Sequence, residues 1–407
     1  MKRIIRKLIP HFLLDWYHYL LAFAGAVFCG FPSKKLTVIG VTGTDGKSTT
    51  VNLISKVLES SGEKVAVVSS ISFKIGDKEI PNKLKMTMPG RFTIQKFLKQ
   101  AIKEKCKYFV LEVSSEGIKQ YRHKFIDFDI AVFTNLSPEH IESHKGFENY
   151  KKTKGKLFKE TKEIHIINID DENAQYFLQF PAKKKYTYGM EKGDINFKNN
   201  PFDLKLIGDF NIYNALAAMC VGVSQDIDIK TIKSALENAE GIPGRMELVI
   251  KEPFKVIVDY AVTPNAFEKV YKILKPKAGK MICVFGACGG GRDKWKRPVL
   301  GGIAVKYCDE IILTNEDPYD ENPQQIIEQI ITGIENISIN QQNPHKSAVL
   351  KILDRREAIK KALILAKSGD MVIITGKGCE PWMCVAGGKK IAWDDRQIIR
   401  EEFKNLN

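Results

Sequence analysis

The chain has 407 residues, of which 44% are hydrophobic and 27% charged, so two or three globular domains are expected. The formal net charge of +15 favours anionic partners, but the basic residues are spread along the chain without an Arg-rich arm, so no nucleic-acid partner is expected. The eight cysteines include no Cys-x-x-Cys pair, which argues against a structural zinc site and a secreted disulfide framework and fits a cytoplasmic protein.

The amino terminus combines a basic start with an apolar stretch. Residues 2, 3, 6 and 7 are Lys or Arg, and Asp15 is the only formal charge between residues 8 and 31. The cleanest apolar part, 20–31, is shorter than the roughly 20 residues that a membrane-spanning helix needs. Two interpretations of residues 1–33 stay open. One is a helix lying on the inner face of the membrane with its basic residues on anionic headgroups, and the other is a helix packed on the rest of the chain.

Strand-like and helix-like runs alternate after this segment. Such alternation predicts an α/β fold with a parallel, doubly wound sheet. In chain order, we predict strands at 36–42, 64–71, 108–114, 129–136 and 164–169, and helices at 47–61, 92–105 and 147–159.

The alternation restarts after a turn-like stretch with two glycines and a proline, residues 241–244. We predict strands at 255–259, 280–285, 310–314 and 371–375, and helices at 264–274, 294–307, 323–333 and 355–367. The expected organisation is an apolar helix (1–33), a doubly wound domain of the P-loop ATPase type (34–244) and a smaller Rossmann-like α/β domain (245–407). Open sheets of this kind bind ligands at the carboxyl ends of their strands.

The stretch after the first predicted strand has the composition of a phosphate-binding loop. Gly43 and Gly46 allow successive backbone N–H groups to face one point, Lys47 supplies a positive charge, and Ser48 can place its hydroxyl on Mg²⁺. The strict Walker pattern requires glycine where this chain has Val41, and the alternative is a Gly-rich turn without a ligand. The expected ligand is ATP, bound by Gly43, Thr44, Asp45, Gly46, Lys47, Ser48 and Thr49.

Six motifs taken together resemble the Mur ligase family. In chain order they are Gly43-Thr44-Asp45-Gly46-Lys47-Ser48, Glu112-Val113-Ser114-Ser115, Thr134-Asn135-Leu136 with His140, Gly244-Arg245-Met246-Glu247, Asp259-Tyr260-Ala261 and Gly376-Lys377-Gly378-Cys379-Glu380. The resemblance runs from about residue 34 to the carboxyl terminus in the expected order. Within the family, the chain is most similar to the UDP-N-acetylmuramoyl-tripeptide synthetases, which add the third residue of the stem peptide in bacterial cell-wall synthesis.

The resemblance implies an ATP-dependent, ADP-forming ligase that activates a substrate carboxylate as an acyl phosphate and joins an amine to it. The implied substrates are small molecules: a muramoyl-L-Ala-D-Glu acceptor and a diamino acid, either diaminopimelate or lysine. Two alternatives stay open. One is a folylpolyglutamate synthase, which shares the fold and the reaction type, and the other is an inactive ATP-binding scaffold at the membrane.

The resemblance also implies a metal and catalytic set made of Lys47, Ser48, Glu112, His140 and Lys154. Ser48 and Glu112 are expected on one Mg²⁺, and Glu112 with His140 near a second. Lys154 matches a lysine that the family carbamylates with CO2, which turns an ammonium that repels Mg²⁺ into a group that can ligate it. The alternative for Lys154 is a solvated basic helix face.

Further residues match the family's nucleotide contacts. Asn211 and Asn214 match the segment that holds adenine, although both could instead cap a helix. Arg245 and Asp259 match residues that reach ATP from the carboxy-terminal side. The histidine that usually follows the Asp-Tyr-Ala motif is replaced by Val262.

Substrate contacts are implied in both halves of the chain. The expected acceptor contacts are Thr87, Met88, Ser114, Gln120 and Arg122, and Glu116 stands where the family commonly has histidine. The expected amino-acid contacts are Arg292, Glu316, Asp317, Gly376 and Glu380. Tyr319 stands where the family's specificity motif has an arginine, and it cannot make the bidentate carboxylate bond of that arginine.

The largest departure from the family pattern precedes the phosphate loop. The typical member has a UDP-binding domain there, whereas this sequence offers the apolar stretch. We therefore expect either that other surfaces or a partner hold the UDP end, or that the acceptor is not a UDP-sugar. A lipid-linked muramoyl peptide is a hypothesis for the second case.

Overall fold

The computed structural model describes residues 11–340 and 347–406. These residues form two compact units. The first comprises the described chain up to residue 138 together with 147–205 and 209–239, and the second comprises 139–146, 206–208 and the described chain from residue 240. The expected boundary after Gly244 lies close to the start of this last segment, and the domain limits remain a prediction.

Helices and strands alternate along most of the described chain. The helices are α1 (His11–Cys29), α2 (Lys47–Glu59), α3 (Arg91–Lys103), α4 (Ser115–Lys119), α5 (Ile141–His144), α6 (Phe147–Glu160), α7 (Ala174–Leu178), α8 (Asp209–Ser224), α9 (Ile229–Glu237), α10 (Pro264–Leu274), α11 (Lys296–Tyr307), α12 (Pro323–Asn340), α13 (Arg355–Leu365) and α14 (Asp395–Lys404). Short 3-10 turns lie at Pro32–Lys35, Lys275–Lys277 and Ala386–Gly388.

The strands of the first unit are β1 (Thr37–Thr42), β2 (Val65–Val68), β3 (Ser72–Ile75), β4 (Lys78–Pro81), β5 (Tyr108–Glu112), β6 (Ile130–Phe133), β7 (Ile164–Asn168), β8 (Lys184–Gly189) and β9 (Ile195–Asn196). The strands of the second unit are β10 (Glu247–Ile250), β11 (Lys255–Asp259), β12 (Met281–Phe285), β13 (Glu310–Leu313), β14 (Ala348–Lys351), β15 (Met371–Thr375), β16 (Trp382–Cys384) and β17 (Lys390–Ala392).

The first unit is built on a nine-stranded sheet with the order β4-β3-β2-β5-β1-β6-β7-β8-β9. The β2–β3 and β3–β4 pairs are antiparallel and the other pairs are parallel. All residues of β2, β5 and β6 are buried, because helices cover both faces of a parallel sheet and its strands become continuous apolar runs. The adjacent strands β1 and β5 therefore present the phosphate loop and Glu112 at the same edge.

The second unit contains a six-stranded sheet with the order β10-β11-β15-β12-β13-β14, in which only the β10–β11 pair is antiparallel. Its central strands β12 and β15 are fully buried. A separate antiparallel hairpin joins β16 and β17. The expected α/β class with parallel sheets in both parts of the chain is confirmed.

The predicted element bounds differ from the observed bounds where a side chain or a glycine has another role. The strand predicted at 108–114 ends at Glu112, because Ser114 turns away to accept a hydrogen bond from Gly117 N–H and cap α4. The helix predicted to end at Gly333 continues to residue 340. A Cβ on Gly333 would lie 1.7 Å from the carbonyl oxygen of Pro298, so this glycine allows α12 to pack closely on α11.

Helix α1 packs on the first unit along one side. The ring of Phe125 contacts the rings of Tyr19 and Phe23 at centroid distances of 5.0 and 5.3 Å. Gly25 lies against Phe92 of α3, where a Cβ would make an ordinary 3.6 Å contact. No helix among the described residues is long and apolar enough to cross a membrane. The interpretation of residues 11–29 as a helix packed on the rest of the chain therefore has direct contacts in its support.

Candidate active site

The loop between β1 and α2 has the backbone of a phosphate cradle. Gly43 and Gly46 have φ angles of 153° and 80°, in the region that favours glycine. A Cβ on Gly43 would lie 1.9 Å from Thr134 Oγ1, and one on Gly46 would lie 2.3 Å from Asn214 Oδ1. Both glycines are therefore required by close neighbours as well as by backbone conformation.

Residues of the segment after β6, together with Tyr150 of α6, hold the loop in shape. Asn135 accepts a hydrogen bond from the Asp45 N–H (2.9 Å) and donates one to the Asp45 carbonyl (3.0 Å). The Thr44 hydroxyl is 3.1 Å from the Tyr150 hydroxyl and accepts from Ser137 N–H at 3.0 Å. These bonds fix the loop through contacts within the protein, which lowers the entropic cost of ordering it on binding.

The loop delivers a positive charge and two hydroxyl residues to the start of α2. Helix α2 begins at Lys47, has no acidic residue in its first turn and buries Ser48 and Thr49. The Lys47 ammonium donates to the Thr44 carbonyl at 2.8 Å, which keeps it above the loop. Backbone N–H groups of a first helical turn and a lysine together form an anion site suited to phosphate.

Glu112, at the end of β5, collects hydrogen bonds on one oxygen. Its Oε2 accepts from Ser48 Oγ (3.0 Å), from the Ser70 N–H (2.8 Å) and from Ser70 Oγ (3.0 Å). Glu112 is 3% exposed, so these donors replace the water that its carboxylate loses on burial. A carboxylate and a hydroxyl in direct contact beside a phosphate cradle are the oxygen ligands that Mg²⁺ prefers.

Ser70 is a residue of this site that the sequence reasoning missed. The predicted strand 64–71 included it, whereas β2 ends at Val68 and leaves Ser69 and Ser70 in the turn that follows. The available signal was its place at the carboxyl end of a strand next to β5 in the sheet.

Lys154, on α6, lies inside the first unit with 1% of its surface exposed. Its Nζ donates to the Gly43 carbonyl at 2.6 Å and lies 4.7 Å from the centre of the Tyr150 ring. Burial, with the nearby positive charge of Lys47, holds the pKa of Lys154 well below its usual value of 10.5, although Asp45 and Glu112 act in the opposite direction. Its surroundings therefore favour the neutral amine over the ammonium more than water does.

Asn211 and Asn214 lie on α8 and meet the phosphate loop. Asn214 Oδ1 accepts from Thr50 Oγ1 at 3.1 Å, and Asn214 Nδ2 donates to Asn211 Oδ1 at 3.0 Å. Both residues are 5% exposed. Because Asn214 also lies against Gly46, α8 is held to the loop by polar side chains as well as by its apolar face.

His140 belongs to a short segment, 139–146, that is grouped with the second unit. Its φ of 57° places it in the left-handed region just before α5. Asp293 accepts hydrogen bonds from the N–H groups of Ile141 (3.0 Å) and Glu142 (3.1 Å), and Lys296 pairs with Glu139 at 2.9 Å. The second unit thus sets the conformation of the segment that carries His140.

Arg245 and Asp259 lie close together within the second unit, since the neighbours of each contact the other. The Arg245 guanidinium lies over the Tyr260 ring, 4.4 Å from its centre. Asp259 is 6% exposed and accepts from the Met246 and Ala261 N–H groups, each at 2.7 Å. Asp259 therefore joins the backbone just before β10 to the backbone just after β11, where Tyr260 lies.

Buried charges surround the expected amino-acid contacts. Lys377 Nζ donates to both oxygens of Asp317 (3.0 and 3.1 Å), to Glu380 (2.7 Å) and to the carbonyl of Trp382 (2.6 Å). Asp317 also accepts from the Cys384 N–H at 2.7 Å. This network joins the turn after β13 to the turn after β15.

Glu316 is buried in the same region, and a Cβ on Gly376 would lie 2.3 Å from its Oε2. Burial, followed by the charge of Asp317, raises the pKa of Glu316, whereas Arg355 and Lys377 lower it. Among the described residues, 11–340 and 347–406, Cys288, Glu316 and Asp317 are the only three His, Cys, Asp or Glu residues whose ligand atoms all lie within 4.8 Å of one another. The ammonium of Lys377 already neutralises Asp317 there, which disfavours a second cation at this position.

The expected acceptor contacts meet around α4. Arg122 donates to the Met88 carbonyl and, at 2.8 Å, to Gln120 Oε1, and Gln120 in turn donates to Glu116 at 2.8 Å. Met88 is 1% exposed and lies against Gly117, and Thr87 is half-buried. The structure therefore brings Met88, Gln120 and Arg122 together and gives Ser114 a capping role.

Comparison with known proteins places this geometry in a family. Residues 41–222 match the Mur ligase middle domain, and residues 244–378 match the Mur ligase, glutamate ligase domain. A UDP-N-acetylmuramoyl-L-alanyl-D-glutamate–2,6-diaminopimelate ligase of Syntrophomonas wolfei is 39% identical over 94% of this chain and 81% of its own length. The chain belongs to the Mur ligase family. A ligase of the same name from Aquifex aeolicus is 38% identical to this Mur ligase, covering 98% of the chain and 84% of the relative.

Solved structures agree with this assignment. A UDP-N-acetylmuramoyl-L-alanyl-D-glutamate–2,6-diaminopimelate ligase superposes with a TM-score of 0.59 at 30% identity, covering 91% of this Mur ligase and 79% of that chain. A folylpolyglutamate synthase of Mycobacterium tuberculosis gives a TM-score of 0.69 at 14% identity, covering 88% and 92%, which is a likeness of fold. As a member of its family, the chain is an ATP-dependent, ADP-forming amide ligase of small-molecule substrates that works with ATP and Mg²⁺.

The structure brings the expected nucleotide and metal residues of the Mur ligase together within the first unit: Lys47, Ser48, Glu112 and Lys154 lie around one loop, with Asn211 and Asn214 behind it. Arg245, Asp259 and the expected amino-acid contacts belong to the second unit, as does His140. The individual roles of these residues remain predictions.

Proposed function

We propose that this Mur ligase joins a diamino acid, diaminopimelate or lysine, to a muramoyl-L-alanyl-D-glutamate acceptor through an acyl phosphate, as a step of peptidoglycan precursor synthesis. The observation that carries the proposal is the direct contact of Ser48 with Glu112 beside the Lys47 cradle. The names of relatives at 37–39% identity support the acceptor and the amino acid.

The reaction needs carboxylate activation because an oxide ion is a poor leaving group. An acceptor carboxylate oxygen bonds to the γ-phosphorus of ATP, the bond to the β–γ bridging oxygen breaks, and ADP leaves. The amine nitrogen of the amino acid then bonds to the carbonyl carbon, phosphate leaves, and the amine loses a proton. In the first step, negative charge grows on the bridging oxygen, and we expect Lys47 and the N–H groups of the first turn of α2 to stabilise it; their position beside the glycine loop supports this role.

Ser48 and Glu112 are the residues that would hold one Mg²⁺, since both offer oxygen ligands and already touch each other. The metal, when bound, neutralises phosphate oxygens. Ser70 holds Glu112 in the orientation that faces Ser48, because its N–H and Oγ donate to the same carboxylate oxygen. We assign His140 to a second ion on the resemblance of its motif alone.

Lys154 fits carbamylation by CO2. Only a neutral amine attacks CO2, and the pKa of Lys154 is lowered by burial and by Lys47. The ammonium first loses one proton, the Nζ lone pair of the neutral amine bonds to the CO2 carbon, and a second proton leaves the nitrogen, so the carbamate carries a negative charge in place of the positive one. That change removes the repulsion between Lys154 and Lys47. It also adds an anion beside the carbonyl oxygen of Gly43, and this anion is stable there only if a cation is close, which ties the modification to metal binding.

The decisive experiment measures phosphate release by the purified full chain against a panel of acceptors and amino acids. The expected result is turnover with a muramoyl-L-alanyl-D-glutamate acceptor and either diaminopimelate or lysine, and mass spectrometry identifies which one enters the product. Lys47→Met removes the cradle charge and should abolish release. Lys56→Met, on the same helix and half-buried, is the matched control and should retain it.

Two results would overturn the proposal. Tetrahydrofolate-dependent ATP hydrolysis with glutamate would favour the folylpolyglutamate synthase alternative, whose fold is similar. ATP binding without hydrolysis in every combination of acceptor and amino acid would favour an inactive scaffold.

A further inference from the structure

Helix α1 has two unlike faces. Its inner face buries Ala22, Ala26 and Cys29 against the first unit. On its outer face, Trp16 is 63% exposed and Phe28 is 71% exposed. Large side chains of this kind are rarely left in water as a continuous row.

The exposed residues form one stripe. The outer face consists of Leu13, Trp16, Tyr17, Leu20, Val27 and Phe28, each between 48% and 71% exposed. The spacing from Leu13 through Trp16, Tyr17 and Leu20 is that of neighbours on one side of a helix. The stripe continues onto α3, since the ring of Phe28 lies 6.3 Å from that of Phe92, which is itself exposed. We refer to the six α1 residues together as the outer stripe.

In the sequence, basic residues stand both before and after α1. In the sequence, the first seven residues contain Lys2, Arg3, Arg6 and Lys7 and no acidic residue. After the helix, Lys34 and Lys35 are exposed, and α1 itself contains a single acid, Asp15. A surface that combines exposed aromatic and aliphatic side chains with flanking cations is complementary to an interface that is apolar below and anionic above.

We propose that the outer stripe of α1 lies in the headgroup region of an anionic phospholipid bilayer. Trp16 and Tyr17 are amphipathic rings of the type that favours this depth, and Leu20 and Val27 reach toward the acyl chains. The helix is not long and apolar enough to cross the bilayer, and its inner face is already occupied by the first unit, so it lies along the surface. The ligase is thereby held at the membrane. This inference does not depend on which amino acid or acceptor it uses.

The test is co-sedimentation of the full chain with vesicles of phosphatidylcholine alone or with phosphatidylglycerol added. Binding should require phosphatidylglycerol and weaken as salt rises, because screening acts on the exposed charges. The variant Trp16→Ser with Phe28→Ser should bind at least tenfold more weakly. The matched control, Ile364→Ser with Ile391→Ser, removes two residues of the second unit that are 53% and 51% exposed, and should bind like the wild type.

A charge variant tests whether the basic residues contribute to binding at the anionic bilayer. Each lysine or arginine near an anionic surface contributes about a fivefold gain in binding, so replacing four of them with serine should weaken binding by a factor on the order of hundreds. The replaced residues are Lys2, Arg3, Arg6 and Lys7, and the control with the same change of net charge replaces Lys183, Lys184, Lys185 and Lys192.

Three outcomes would overturn the inference. Equal binding to neutral and anionic vesicles would remove the role of charge, and unchanged binding of the Trp16 and Phe28 variant would remove the role of the outer stripe. A wild-type dimer that the same variant converts to monomer would make the outer stripe a contact between two copies. Since both side chains are exposed, phosphate release by the variant in the absence of vesicles should equal that of the wild type, which verifies its fold.

Discussion

Lys154→Met should separate the chemical role of this side chain from its place in the fold. Methionine has similar length and no charge, so it fills the buried space and cannot be carbamylated. We expect the rate of phosphate release to fall at least about 100-fold, the scale seen when one preorganised electrostatic group is lost from an active site. Lys156→Met, an exposed position on the same helix, is the control and should keep its activity.

The same pair of variants gives a thermodynamic signature. The pKa of Lys154 is lowered in the folded state relative to its usual 10.5, so between the two values the unfolded chain binds one more proton than the folded chain. The free energy of unfolding therefore rises with pH in that window, by up to ~1.4 kcal/mol per pH unit for one proton, and falls as the pH is lowered. Below the folded pKa, both states are protonated and the contribution is flat.

The assay is urea unfolding of the wild type and both variants in CO2-free buffer at several pH values from 7 to 10. The wild type and Lys156→Met should gain stability along parallel curves, and Lys154→Met should have a shallower curve. Other titrating groups cancel in the difference between proteins. If Lys154→Met runs parallel to the wild type across the whole range, the side chain is an ordinary ammonium and the argument for a neutral amine fails. In a separate measurement, adding bicarbonate should stimulate phosphate release by the wild type if the Lys154 amine is carbamylated.

Three other perturbations test the network around the cradle and the second unit. Ser70→Ala removes one of the donors to Glu112, and we expect the Mg²⁺ concentration for half-maximal phosphate release to rise about tenfold, with the maximal rate less affected. Asn214→Ala removes the acceptor of the Thr50 hydroxyl, which ties α8 to the first turn of α2 behind the phosphate loop, and should raise the KM for ATP about fivefold to tenfold, measured at saturating acceptor. Lys377→Met leaves Asp317 buried without its cation and should lower the free energy of unfolding by about 3–5 kcal/mol, while adding Asp317→Asn should recover part of the loss in the same urea titration.

The phosphate cradle could be predicted from the sequence because its determinants are local. Two glycines, a lysine and a serine follow an apolar strand within a few residues, and the same stretch sets both the backbone and the chemistry. The contact between Ser48 and Glu112 is between residues distant in the chain, yet β1 and β5 are parallel neighbours, so their carboxyl ends meet. Motif order combined with the rule for parallel sheets is enough to bring these two side chains together.

Ser70 could not be predicted in the same way, because its role depends on where β2 stops. The apolar run predicts a strand through residue 71, and a strand residue at that point would bond to neighbouring strands instead of donating its N–H to Glu112. The observed end at Val68 follows from Ser69, whose hydroxyl accepts from the N–H groups of Ile71 and Ser72 and forms a turn. Hydrogen bonds between a short polar side chain and its own backbone decide this element, and hydropathy does not report them.

The position of Lys154 is harder to predict than the phosphate cradle and easier than Ser70. Four lysines crowd residues 151–156, and composition alone cannot choose among them. The apolar positions of α6 can: Tyr150, Leu157 and Phe158 are buried, and Lys154 falls on their face of the helix. A lysine on the apolar stripe of an amphipathic helix must lose its hydration, and that loss lowers its pKa. Helical periodicity therefore supports the same residue that the family resemblance indicates.

Diaminopimelate has a distal carboxylate that lysine lacks, and the contacts of the second unit limit which residue can bind it. Lys377 has three ammonium protons and already donates to Asp317, Glu380 and a backbone carbonyl, so it has no donor left for a substrate. Tyr319 replaces the arginine of the family motif and carries no charge to pair with a carboxylate. Arg292 is exposed and lies within electrostatic range of Tyr319 and of Tyr260, whose hydroxyl bonds Glu380 at 3.3 Å. We therefore predict that, of these three residues, Arg292 is the one that pairs with a distal carboxylate and so favours diaminopimelate over lysine.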